Sequence, residues 1–318
     1  MSVMPRREFL VGIATMTAVT ATSRFAFGES ASRFRVSVIN DEISQDFGHV
    51  CEVASKEFGM GWIELRSMWN KNIVNLDEKE VAETRRLIDK YQLKVTDIAS
   101  PLFKVDWPGA PKSKYSEAKS FNASFTLAEQ DEVLDRAIAM AKAFDTERVR
   151  CFDFWRLENQ APYRDAINDK LRDAAVKAEK KGIILVLENE PACNTATGAE
   201  SAKVLSAVQS RSFMLNWDPG NAAASGEIPF PDGYNLLPKD RIGHCHCKDT
   251  VKKGAAFDWA PMGGGMIDWA GQYKALKRDG YHFAVSLETH WNGGGTPEES
   301  SRKSWAGMKK LLQAADAF

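Results

Sequence analysis

Two histidines stand one residue apart in the stretch Arg241-Ile-Gly-His-Cys-His-Cys-Lys-Asp249. Side chains alternate between the faces of a β-strand, so His244 and His246 share one face while Cys245 and Cys247 take the other. Three carboxylates elsewhere close short apolar runs. Glu188 ends Ile183-Ile-Leu-Val-Leu-Glu188, Asp218 ends Phe213-Met-Leu-Asn-Trp-Asp218, and Glu288 ends Phe283-Ala-Val-Ser-Leu-Glu288. Three carboxylates and one imidazole, that of His246, suit a hard-to-borderline divalent ion. Mn²⁺ fits best, with Co²⁺, Mg²⁺ and Fe²⁺ as competitors, and thiolate-rich zinc is disfavoured. Taken singly, each residue has a plainer role. A Glu ending a strand is ordinarily a solvated rim residue or a cap, Asp218 before Pro219-Gly220 suits a turn, and His246 suits a satisfied buried histidine. Their shared position at strand ends is what argues for a site.

The elements that must position them alternate short β-rich runs with longer amphipathic stretches. Strands are predicted over 34–40, 62–66, 93–99, 148–153, 183–188, 213–218, 241–249 and 283–288. Helices are predicted over 46–58, 77–91, 127–144, 162–181, 199–209, 269–279 and 298–315, with a looser, proline-bearing segment after the sixth strand. Eight strand–helix units over about 290 residues match the count and size of an α/β fold of the (β/α)8 TIM barrel type, as a single domain. A doubly wound sheet would show a Gly-rich turn after its first strand, and Asn40-Asp-Glu-Ile-Ser44 is not one. In such a barrel the carboxyl ends of strands five to eight would bring Glu188, Asp218, His246 and Glu288 to one side of the mouth. The long segment 100–125 reads as a lid or binding loop.

At 318 residues with a net charge of −1, the chain can bury a full core and shows no electrostatic footprint for nucleic acid. Pro5-Arg6-Arg7-Glu8-Phe9-Leu10 leads into an apolar run, and Ala26-Phe27-Gly28 offers a small-x-small cleavage site. This resembles a twin-arginine export signal over residues 1–28, leaving a barrel over 29–318 and a periplasmic or secreted address. No later stretch is apolar enough to span a membrane, so stable membrane association is not expected. Five cysteines without a CxxC pair indicate no disulfide framework. Assembly into a homo-oligomer is left open.

The motifs Asn40-Asp-Glu-Ile-Ser44, Ile63-Glu-Leu-Arg66, Leu187-Glu-Asn-Glu-Pro191, Asn216-Trp-Asp-Pro-Gly-Asn221, His244-Cys-His-Cys-Lys-Asp249 and Ser286-Leu-Glu288 resemble, in order and spacing, the sugar phosphate isomerase/epimerase-like family, also called xylose-isomerase-like. The resemblance covers nearly all of the chain beyond the signal. It implies that Glu188, Asp218, His246 and Glu288 hold the metal, and that Glu188 and Glu288 act as a proton-transfer pair. One Glu would take the proton next to a metal-polarised carbonyl, giving an enediolate. Return to the opposite face gives an epimer; return to the adjacent carbon gives an isomer. Asn221, Lys252 and Asn194 stand where some ketose epimerases carry His, Arg and Glu, which argues against a 3-epimerase of that type. Lys248-Asp249 looks more like the pentulose-phosphate and inosose branches. His244 is placed against substrate or behind a ligand, and Glu42, Glu64 and Arg66 in one charged network near the mouth.

Trp69, Trp107, Trp155, Trp259 and Trp291 follow strands two, three, four, seven and eight. Indole faces there suit the C–H faces of a small-molecule carbohydrate substrate and shield an enediolate from water; some of them would instead pack loops against the rim. The substrate-binding set is therefore His244, Asn221, Lys248, Glu64, Arg66, Trp107, Trp155 and Trp259. The loop Gly263-Gly-Gly265 reads as mobile and substrate-accommodating, with phosphate cradling by its N–H groups a weaker reading. The export address favours an unphosphorylated sugar, ketosugar or cyclitol. Other readings are a lyase or hydrolase on oxidised (3-keto) glycosides, a non-catalytic sugar-binding barrel, and a metal-dependent nuclease. Five histidines and near-neutral charge weigh against the last.

Overall fold

Every one of the eight predicted runs forms a parallel strand, and consecutive strands are neighbours around a single sheet. A computed structural model describes residues 34–116, 124–254 and 256–318. The twin-arginine segment and part of the 100–125 loop lie outside the described residues. The strands are β1 (Arg35–Val38), β2 (Trp62–Leu65), β3 (Lys94–Leu102), β4 (Arg148–Cys151), β5 (Ile184–Glu188), β6 (Phe213–Trp217), β7 (Ile242–Cys247) and β8 (Ala284–Leu287). Their spatial order is β1-β8-β7-β6-β5-β4-β3-β2, and a parallel bridge between Ile39 and Glu64 brings the two ends together. The third strand runs to Leu102, three residues beyond its predicted end.

Helices between the strands cover the outside: α1 (Phe47–Glu52, continued as a wider turn over Val53–Glu57), α2 (Glu78–Lys90), α3 (Gln130–Ala143), α4 (Arg164–Glu179), α5 (Gly198–Ala207), α6 (Pro219–Ala224), α7 (Trp269–Arg278) and α8 (Pro297–Ala314). Their starts follow from local chemistry. Asp77 accepts from the Glu80 N–H while the Glu80 side chain accepts from the Asp77 N–H, a capping box that opens α2. Thr197 and Thr296 cap α5 and α8 through their hydroxyls. On α3, Val133, Leu134, Ala137, Ile138 and Ala141 are buried, the three-and-four spacing of one helical stripe. Each large apolar side chain so buried contributes on the order of 1.5–3 kcal/mol.

The barrel interior is unusually polar. Glu64, Asp97, Arg148, Arg150, His244 and His246 are all buried, where aliphatic side chains fill most such barrels. Buried charge is stable only when paired and hydrogen-bonded, and the pairing of these groups defines the site. All five cysteines are buried and unbridged, and Cys245 and Cys247 belong to the apolar core as the strand alternation predicts. Among the described residues no helix is long and apolar enough to cross a membrane.

Candidate metal centre

β7 delivers His246 with its two ring nitrogens facing different partners. Nδ1 lies 3.2 Å from Glu188 Oε1, 3.3 Å from Glu288 Oε2 and 3.7 Å from Asp218 Oδ2. Nε2 faces Glu64 Oε1 at 3.0 Å, with the Asn216 side-chain amide also 3.0 Å away. Glu188, Asp218, His246 and Glu288 each offer one ligand atom, all within 4.8 Å of one another and all on buried residues. That span is close to twice the ~2.0–2.4 Å bond of a divalent ion to O or N donors. The Nδ1 edge therefore faces the site, and a carboxylate behind Nε2 fixes the ring, a common arrangement for a metal-bound imidazole.

Asp218 serves two ends. Its Oδ1 accepts from the Asn221 N–H at 2.8 Å and caps α6, with Pro219 as the first helical residue. Its Oδ2 faces His246 and lies 2.7 Å from Lys248 Nζ, an ion pair whose angle is not that of a hydrogen bond. The turn reading of Asp218 is realised by Oδ1, and Oδ2 is left facing the cluster, where it could serve a metal ion.

Cations border the cluster and set its protonation. Arg150 Nη1 donates to Glu188 Oε2 at 3.0 Å. Burial pushes the Glu188 carboxyl up, but His246 and Arg150 outweigh it and bring it down to about 2. Arg66 donates to Glu288 Oε1 and Asp41 Oδ1 at 2.8 Å and to Glu42 Oε1 at 2.7 Å, and Lys248 donates to Glu288 Oε2. Burial raises the Glu288 carboxyl, yet Lys248, His290 and His246 hold it well below the usual range. Both carboxylates are thus ionised at neutral pH, the state in which a carboxylate can bind a cation or accept a proton.

A family model described as xylose isomerase-like TIM barrel matches residues 53–315. The chain belongs to this family. Among solved structures, this xylose isomerase-like barrel is similar to the probable 3-DHS dehydratase AsbF from Bacillus anthracis, at 20% identity with 87% of this chain and 98% of that chain covered and a TM-score of 0.66. It is also similar to the IolI protein with a bound zinc atom (17% identity, 89% and 99% covered, TM-score 0.67). A D-tagatose 3-epimerase-like protein matches at 18% identity, 89% and 98% coverage and a TM-score of 0.65. A comparison with curated proteins found no match.

The remaining predicted residues divide by what they touch. His244 Nε2 lies 2.9 Å from Glu64 Oε2, so Glu64 receives both imidazoles and is held well below the usual carboxylate range by them, against burial. The network expected of Glu42, Glu64 and Arg66 is joined through Glu288 and His246. Arg66 bonds Asp41, Glu42 and Glu288, whereas Glu64 bonds the two histidines. Asn221 does not stand free for substrate: its Nδ2 donates to Glu188 Oε1 at 3.2 Å and to the Asn189 carbonyl at 2.9 Å. Trp107 packs edge-on against Phe154 at 4.7 Å, and Trp69 against Phe47 at 6.2 Å.

Trp155 corrects the expectation of an exposed indole. The residue is 4% exposed, its backbone N–H donates to the Val105 carbonyl, and the ring packs with Phe152 and Cys193. The glycine loop is also corrected. Asp249 Oδ2 accepts from the N–H groups of Gly263 and Gly265 at 3.1 Å, and Oδ1 from Ile267 at 3.3 Å. The nest already holds an anion, and it is a carboxylate of this chain. A Cβ on residue 265 would fall 2.1 Å from Asp249 Oδ1, so glycine serves close approach here rather than mobility.

Sequence reasoning missed Arg150, Asn216, Asp97 and His290. The signal for Arg150 was present: Arg148-Val-Arg150 puts two arginines on one face of a short strand, an expensive placement unless carboxylates face them. Glu42, Glu288 and His290 also lie within reach of one another, but the Arg66 guanidinium already bonds Glu42 and Glu288 and supplies the positive charge there. A cavity of about 550 Å³ is lined by residues 111–115 and 156–160. None of the four cluster residues lines it, and the donor set, not cavity size, locates the chemistry.

Proposed function

We propose that the chain is a divalent-metal-dependent sugar isomerase or epimerase, acting through an enediolate on an unphosphorylated sugar, ketosugar or cyclitol. The observation that carries this reading is the buried Glu188–Asp218–His246–Glu288 cluster, whose donors converge on the edge of His246. Mn²⁺ is the proposed ion, on the chemistry of three carboxylates and one imidazole. Bound there, the ion polarises a substrate carbonyl and stabilises the charge that develops on its oxygen. Glu188 and Glu288, on β5 and just past β8, carry the proton transfer from opposite sides. Arg150 and Asn221 hold the first, and Arg66 and Lys248 hold the second. An address outside the cytoplasm, read from Arg6-Arg7 and the run that follows, supports an unphosphorylated substrate.

Lys248 favours a second reading, elimination from an oxidised glycoside. A base takes the proton next to the carbonyl, the C–O bond one carbon further breaks with its electron pair, and the departing oxygen takes a proton. The Lys248 ammonium, buried beside Glu288, is a donor suited to that last step. The test is incubation of the full chain with Mn²⁺ and free sugars, 3-keto-sugars and inososes in deuterated water. Deuterium next to the carbonyl with a new epimer or isomer supports the first reading, and release of an aglycone supports the second. If activity survives removal of the ion by chelation, or Glu288→Gln turns over as fast as wild type, the assignment is wrong.

A further inference from the structure

We infer that the cavity walled by Trp259, His290 and Trp291 is a subsite for a second sugar ring, so that the substrate is a glycoside of at least two rings. This inference rests on the carbohydrate reading of the metal centre and names its substrate more closely. The cavity measures about 450 Å³ and lies between the hairpin that follows β7 and the loop that follows β8, within the range of small-molecule sites. The hairpin pairs Asp249–Lys253 with Ala256–Ala260 and sets Trp259 opposite Thr250.

The cavity adjoins the metal centre through two side chains. The Lys248 ammonium lies 5.2 Å from the Trp259 ring centroid while pairing with Asp218 and Glu288. His290 meets the same indole edge-on at 5.2 Å, and its Nδ1 is 3.7 Å from Glu288 Oε1. A ligand whose reacting ring reaches the ion would therefore carry its next ring past Trp259 and His290 into this space.

The walls are built in advance. His290 holds a φ of 46°, a left-handed backbone that non-glycine residues keep only where surroundings enforce it, commonly at functional sites. Its N–H donates to Glu42 Oε2 at 3.0 Å, which ties the loop to the Arg66 network. The Trp291 indole lies flat against Gly293, where a Cβ would fall 2.5 Å from the ring. Two half-buried indoles in one cavity, with Asp258 and Asn292 at its polar edge, match the apolar C–H faces and hydroxyl rims of a pyranose.

The test is binding to the full chain, with Mn²⁺ present, of glucose against cellobiose, maltose and trehalose, followed by tryptophan fluorescence and calorimetry. At least one disaccharide should bind 10-fold or more tighter than glucose, and Trp291→Ala should remove that preference. Trp291→Phe, which keeps a ring, should retain part of it and stands in if the alanine variant does not fold. Equal affinities, no binding of any disaccharide, or a preference that survives Trp291→Ala would overturn the inference. Tight binding of 4-nitrophenyl glucoside alone would assign the space to an aromatic group instead. Disaccharide binding without turnover would leave the subsite standing and refute only the reaction proposed above.

Discussion

Replacing Asp97 by Asn should lift a pH-dependent cost that the barrel interior places on folding. Asp97 is fully buried on β3, and neither carboxyl oxygen has a hydrogen-bond partner among the described residues. Burial first, and then the Glu64 carboxylate, push its pKa from the ordinary 3.8 up to about 8, against the pull of Arg150. Between these two values the folded protein holds a proton that the unfolded chain has released. Where the unfolded state binds fewer protons, stability falls as pH rises, by about 1.4 kcal/mol per pH unit for one group. The loss begins near the unfolded value and is complete just above the folded one.

From about pH 5.5 to about pH 7.5 this amounts to about 3 kcal/mol, a large share of the 5–15 kcal/mol that holds a domain together. The assay is urea unfolding of wild type and Asp97→Asn, both kept metal-free with chelator, at several pH values across that window. The difference between the two proteins isolates Asp97, since Glu64, held low by its histidines, stays ionised throughout. The variant should gain on wild type steadily as pH rises and the gain should level off above about pH 8. A difference that stays flat across the window, or shrinks as pH rises, would refute the protonated-acid account.

Three further outcomes follow from the site. Glu64→Gln should weaken Mn²⁺ binding by about 10–100-fold, because the ring of His246 loses the carboxylate behind Nε2; calorimetric titration with the ion reads this directly, and unchanged affinity would move the metal elsewhere. Arg150→Met should cost the metal-free protein about 3–5 kcal/mol, since it strands the buried Glu188 charge; an unchanged urea midpoint would show that His246 alone suffices. Gly265→Ala should cost about 1–3 kcal/mol by forcing a methyl group into Asp249, read as a lower melting temperature.

The barrel was legible because its strands and helices keep their own periods. The predicted runs at 183–188 and 213–218 differ from the observed strands by one residue at an end. The clustering of Glu188, Asp218, His246 and Glu288 was legible for a related reason: strand ends in a parallel barrel meet at one mouth, so four polar endings can be placed without coordinates. Pairings across the barrel were not. Arg66 reaches Glu288 over 222 residues and Arg150 reaches Glu188 over 38, and no local pattern encodes either. The burial of Trp155 against Cys193 is equally silent in sequence.

The same division explains why a candidate metal site could be read and the substrate could not. The four donors sit at the ends of strands β5–β8 or within two residues of them, so their spacing is fixed by the sheet's own register: Ser286 pairs with His246 and Glu188 with Asn216. A site on paired strands tolerates little displacement, and the cations around it are buried and committed to named oxygens. Trp259, His290 and Trp291 stand on the hairpin and loop beyond those strands, where insertions change shape without disturbing the barrel. On the reading proposed above, reaction type belongs to the strand-borne floor and substrate length to the loop-borne rim. Changing Trp291 should therefore alter which ligands bind while the affinity for Mn²⁺ stays as it is, and Glu64→Gln should do the reverse.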